Sequence, residues 1–140
     1  MKKNIHEVFE EFEKAKTKPE RIKVLKDNNT YELRNVLQGT YDPRIEFIFE
    51  KMPKYKSSDA PIGLGYSTIH QELDRIYLYE KNNPRVSPNL SNDRKKQLLI
   101  QTLECLEEKE AKIFANMLLK KQEVKGLNAT IVKEAFPELF

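Results

Sequence analysis

Apolar residues recur at helical spacing along most of the chain. Ile5, Val8, Phe9 and Phe12 fall at i, i+3, i+4 and i+7, while Glu7, Glu10, Glu11, Glu13 and Lys14 fill the opposite face. That pattern predicts an amphipathic first helix. Thr17-Lys18-Pro19-Glu20 reads as a second helix start, with Thr17 as cap, Glu20 completing a capping box, and Ile22 and Leu25 inward. Asp27-Asn28-Asn29 breaks that helix, and Thr30 caps a third that bears Leu33, Val36 and Leu37. Gly39-Thr40-Tyr41-Asp42-Pro43 reads as a turn, and Pro43 as the start of a helix over the dense apolar run Ile45, Phe47, Ile48 and Phe49, stopped by Pro53.

Residues 53–66 form the longest irregular stretch, a length that in compact domains often carries function. Ser67 or Thr68 then caps a helix with Ile69, Leu73, Ile76, Tyr77 and Leu78. A second loop covers 82–89. Ser91 caps a helix with Leu98, Leu99, Thr102, Leu103 and Leu106 inward, and the run from Lys109 to Lys121 predicts another with Ala111, Phe114, Ala115 and Leu118 inward. A basic, glycine-containing turn follows, and Asn128 caps a last short helix that ends before Pro137. The expectation is an all-α fold of about seven helices in a single domain spanning residues 1–140.

Composition narrows the function classes. With 39% hydrophobic and 34% charged residues, the chain has enough apolar material for one modest core under a heavily solvated surface. A net charge of +3 and a pI of about 8.8 permit nucleic-acid binding without demanding it. Cys105 stands alone, so one chain builds neither a disulfide nor a cysteine zinc site, and a small core thiol in a reducing, cytoplasmic compartment is expected. No apolar run approaches the roughly 20 residues that cross a bilayer, so no membrane partner is expected. Met1-Lys2-Lys3 leads into Asn4-Ile5-His6-Glu7 rather than an apolar stretch, which predicts no signal peptide.

Catalytic patterns are missing. There is no P-loop, and Gly63-Leu64-Gly65 lacks both a third glycine and a preceding strand. His6 and His70, the two histidines, are far apart in the chain and read as surface residues, although His70 lies in a helix's first turn and is a candidate phosphate contact. Acidic pairs such as Glu10-Glu11 and Glu107-Glu108 read as solvated helix faces. No enzyme, cofactor or metal is expected.

Three regions are candidates for a nucleic-acid surface: Lys51, Lys54, Tyr55 and Lys56 at the long loop; Tyr66, Ser67 and Thr68 at a helix start; and Lys120, Lys121, Lys125, Gly126, Asn128, Thr130 and Lys133 around the last turn. Lysines release counterions from phosphate without reading sequence, helix N-termini favour anions, and glycine lets backbone approach closely. Residues 120–133 hold four positive charges against the single negative charge of Glu123, a larger imbalance than the chain average. Arg94-Lys95-Lys96 is a further basic cluster at a helix start.

The order of these motifs resembles the helical N-terminal DNA-binding domain of ATP-dependent DNA ligases. The residues that carry the resemblance are Leu33 to Pro43, Phe47 to Lys54, Ile62 to Thr68, and the stretch from Lys109 through Lys125-Gly126-Leu127-Asn128-Ala129-Thr130 to Pro137. The nearest likeness is to the T-even phage enzymes, and the chain also looks like short tailed-phage proteins built from this domain alone. The resemblance implies an all-α domain that grips duplex DNA across the minor groove, mainly through phosphates, in the host cytoplasm. The adenylated lysine of ligases is missing, since no Lys-x-Asp-Gly occurs. Two readings follow. One is a non-enzymatic, sequence-independent duplex-DNA-binding module serving replication or repair. The other is an adaptor or inhibitor that binds a phage or host replication or transcription protein, which an exposed apolar patch at Leu139 and Phe140 would favour.

Overall fold

The hub of the fold is the helix that buries the most residues. In the computed structural model, which describes residues 3–61 and 66–140, α6 (Glu108–Leu118) buries Ala111, Ile113, Phe114, Ala115, Met117 and Leu118. Around it pack α1 (Ile5–Lys14), α3 (Tyr31–Tyr41), α4 (Ile69–Leu73) and α5 (Asn92–Cys105), while α2 (Lys18–Asp27) and α7 (Ala129–Ala135) pair beside α1 and α3. One continuous apolar cluster joins all seven α-helices, and no β-strand occurs among the described residues. The all-α expectation holds.

Local chemistry accounts for the helix starts. Asn4 and Glu7 form a reciprocal capping box, and Thr17, Thr30, Thr68, Ser91 and Asn128 each accept a backbone N–H three residues on. Glu20 departs from the expected box: its carboxylate accepts from the Lys16 N–H at 3.3 Å instead of the Thr17 N–H.

Four expectations about elements are corrected. Residues 39–41 are the last turn of α3, not a turn after it. Gly39 is there for packing, because a Cβ at this position would lie 2.7 Å from Met117 Sδ and 2.9 Å from its Cγ. Thr40 stays helical with its hydroxyl donating to the Val36 carbonyl at 2.7 Å.

The expected helix over 45–49 is an extended segment. Ile45, Phe47 and Phe49 alternate toward the core while Glu46 and Glu50 face solvent, which is the period of a strand. Phe47 pairs with Glu80 in an isolated antiparallel bridge, supported by Ile48 N–H to Tyr79 O at 3.0 Å and Lys81 N–H to Glu46 O at 2.8 Å. The expected long helix after Thr68 divides into α4 and a short 3-10 helix, Ile76–Tyr79, so Tyr79 is the deeply buried aromatic, not Tyr77.

α6 ends at Leu118, earlier than the charge pattern to Lys121 implied. The Lys121 N–H donates to Asn116 O and the Lys120 N–H to Met117 O, while Lys120 has a φ of 62°. This is a Schellman ending with lysine where glycine is usual. Ile62, Gly63, Leu64 and Gly65 lie outside the described residues.

Candidate nucleic-acid interface

The turn between α6 and α7 was the strongest sequence-based candidate, and its residues separate into two kinds. Lys120 turns inward: its ammonium donates to Gly39 O at 2.7 Å and Asp42 O at 2.8 Å, and it lies 5.6 Å from the Phe47 ring centroid. Burial lowers its pKa, opposed by Asp42, Glu46 and Glu80. Lys120 thus closes the C-terminus of α3 and is turned away from any ligand of this surface. Lys121, Lys125, Thr130 and Lys133 are exposed.

Gly126, expected to admit a phosphate, admits Arg21 instead. It has a φ of 86°, and a Cβ there would lie 3.0 Å from Arg21 Cζ and closer still to Nη1. Arg21 is anchored by its Nε–H to Ala15 O at 3.2 Å and lies over the Phe12 ring. Asn128 caps α7 by accepting the Ile131 N–H at 3.0 Å, so that donor is already engaged.

The Arg21 contact brings in α2, which the sequence reading left out. Residues 14–26 hold six basic residues against one acidic. Lys14, Lys16, Lys23 and Lys26 are exposed, and α2 packs directly on α7. Lys18 is paired with Glu134 of α7 at 2.9 Å. Lys14, Lys16, Lys23, Lys26, Lys121, Lys125 and Lys133 therefore belong to one adjoining set of elements. The signal was present in the lysine spacing of 14–26, but without the fold nothing tied that run to the last turn.

The other expected regions lie elsewhere. Thr68 shares a cleft with Lys3, Asn4 and Ile5 at the start of α1, and the Ser67 N–H donates to Cys105 O, just before α6. Lys125, by contrast, donates its N–H to Glu13 near the end of α1 at 3.0 Å. Thr68 and Lys125 are thus separated by the length of α1, roughly 15 Å for a ten-residue helix. The expected proximity of Tyr66-Ser67-Thr68 to Lys121, Lys125 and Lys133 is not formed. Tyr66 is 90% exposed, whereas the Ser67 hydroxyl donates to Glu72 at 2.5 Å and Thr68 caps α4. Lys54 and Lys56 are exposed on either side of the half-buried Tyr55.

His70 is committed as well. Its Nδ1 pairs with the buried Glu32 carboxylate, and its ring lies 4.8 Å from that of Tyr31. Glu110 lines the same cleft at the start of α6, and burial pushes its pKa up to about 7, opposed by the Ile69 N–H and reinforced by Glu107 and Glu32. Among the described residues no group of three metal-binding side chains comes together. None of the described helices is long and apolar enough to cross a membrane.

No curated protein matches the chain significantly. A match to one protein family extends from Val8 to Lys125, from the first helix of this core into the basic turn, and by that match the chain belongs to the family of unknown function DUF6433.

Proposed function

We propose that the protein is a non-enzymatic module that binds duplex DNA through its phosphates, without reading sequence, on the face built by α2, the 120–128 turn and α7. The observation that carries this reading is the packing of Arg21 against Gly126, which joins the basic run of α2 to the last basic turn. Seven exposed lysines on adjoining elements provide the multivalent, sequence-blind attraction that phosphate binding needs. The resemblance to the ligase DNA-binding domain supports the same partner, and with it a minor-groove approach in the cytoplasm of a phage-infected host. Lysine charge, not a helix N-terminus, is the main contributor, since Asn128 already occupies the Ile131 N–H in the first turn of α7.

The adaptor alternative loses the patch that would have favoured it. Leu139 and Phe140 pack partly buried against the core, and Lys133 Nζ lies 5.4 Å from the centroid of the Phe140 ring. The test is charge reversal. Lys121→Glu, Lys125→Glu and Lys133→Glu together should weaken binding to a nicked duplex by about a hundredfold or more at low salt, because counterion release is lost and repulsion gained. Helicity should not change, since all three side chains are exposed. Equal binding by the triple variant would move the surface elsewhere, with Arg94-Lys95-Lys96 next to be tested.

A further inference from the structure

α1 and α6 lie side by side, their starts meeting at the Glu110 cleft and their ends at the Gln122–Lys125 turn. Between them runs an open cleft of about 630 Å³, bordered on its third side by Tyr55 and Ser57. Its size falls within the range of ligand-binding clefts. Phe9, Ile113, Val124 and Tyr55 supply apolar surface, and Glu10, Glu13, Glu108 and Glu123 supply four carboxylates against Lys109 and Lys112. Lys112 is paired with Glu123 at 3.7 Å. Burial, with a contribution from Glu108, raises the Tyr55 pKa, so its phenol remains a neutral hydrogen-bonding group.

Two polar side chains in this cleft are unanswered. Asn116 as a residue is 9% exposed, and its side-chain amide makes no hydrogen bond with any described residue. His6 Nδ1 is buried and has no hydrogen-bond partner among the described residues. Other buried polar groups nearby are satisfied: Gln122 donates to Thr40 and to Ile113 O. The Asn116 amide opens into the cleft at the edge of the apolar floor, and a primary amide offers one acceptor and two donors. That pairing suits a peptide group of an extended chain, whose N–H and C=O present the matching donor and acceptor.

We infer that this cleft binds an extended, basic peptide segment of a protein partner, with one apolar side chain on Phe9, Ile113 and Val124 and its main chain bonded to Asn116. The carboxylates select for Lys and Arg in the segment and against phosphate, so nucleic acid is the wrong occupant here. The stretch of α6 from Glu108 to Asn116 spans about 12 Å, enough for roughly four residues of extended peptide. The cleft adjoins the basic turn through Gln122, Glu123 and Val124, but Glu10 and Glu108 take no part in the lysine set, so either site stands if the other fails.

The test uses the full chain, labelled with nitrogen-15, and a fluorescent hexapeptide of the form Lys-Arg-Leu-Lys-Arg-Lys, beside a counterpart with glutamate at every basic position. The basic peptide should bind and shift the amide signals of Phe9, Ile113, Asn116 and Val124. Glu10→Lys with Glu108→Lys, both at exposed positions, should weaken that binding at least tenfold and leave nicked-duplex affinity undiminished. Asn116→Ala should weaken the peptide further, while Asn116→Gln, which keeps the amide, should retain part of the affinity. The inference is overturned if the basic peptide leaves those signals unmoved, if the double reversal binds it equally well, or if duplex DNA moves the Phe9, Ile113 and Asn116 signals in its place.

Discussion

Arg21 and Gly126 share one space: the arginine guanidinium sits where any side chain at 126 would have to go. That contact joins α2 to the last turn and brings two separate basic runs onto adjoining elements. Gly126→Ala should therefore be harmful on two counts, the positive φ of 86° and the collision with Arg21. A loss of about 1–3 kcal/mol is expected by denaturant unfolding. Arg21→Ala in the same chain should recover the collision part. Strict additivity of the two substitutions would contradict the contact.

Lys120 is expected to affect stability more than DNA affinity. Lys120→Met removes both bonds to Gly39 O and Asp42 O and should destabilise the fold by about 1–3 kcal/mol. Corrected for the folded fraction, its duplex affinity should stay close to that of the wild type, whereas Lys121→Glu should weaken it. A Lys120→Met protein as stable as the wild type would show that the carbonyls are satisfied without it.

Glu110 sets a pH dependence. Its folded pKa of about 7 stands above the ordinary glutamate value of 4.5, so folding favours the protonated form. Stability then falls as pH rises from about 4.5 to about 7, and the deficit is complete above that range. Glu110→Gln removes the ionisation, so it should gain about 1–2 kcal/mol relative to the wild type between pH 4.5 and pH 8. Unfolding curves that show the same difference at both pH values would contradict a buried, proton-holding carboxyl.

Much of the fold was legible because capping residues and apolar spacing are local signals. Thr17, Thr30, Ser91 and Asn128 mark helix starts by their own side chains, and Leu33, Val36 and Leu37 mark a face. The misplacements share one cause, which is tertiary contact overriding a local cue. Gly39 looks like a turn residue until Met117 packs on it, and Lys120 looks helical until two carbonyls of another element capture its ammonium. The run 45–49 holds both periods, and Tyr79 and Lys81 choose between them by bonding its backbone on either side of the Phe47–Glu80 bridge. The candidate interface was half legible for the same reason. Lys121, Lys125 and Lys133 show in the sequence as an imbalance of charge, but the partnership with α2 depends on a contact 105 positions away, between residues 21 and 126.

The central claim is phosphate binding by the α2, turn and α7 face. Its most direct measurement is a titration of a nicked duplex of about 20 base pairs with the wild-type chain at several salt concentrations between about 50 and 200 mM. The account expects measurable binding at the low end, near-equal affinity for unrelated sequences, and a slope of log K against log salt of about −4, the value for four to five phosphates neutralised. No affinity at about 50 mM salt, or binding that ignores salt, would contradict it.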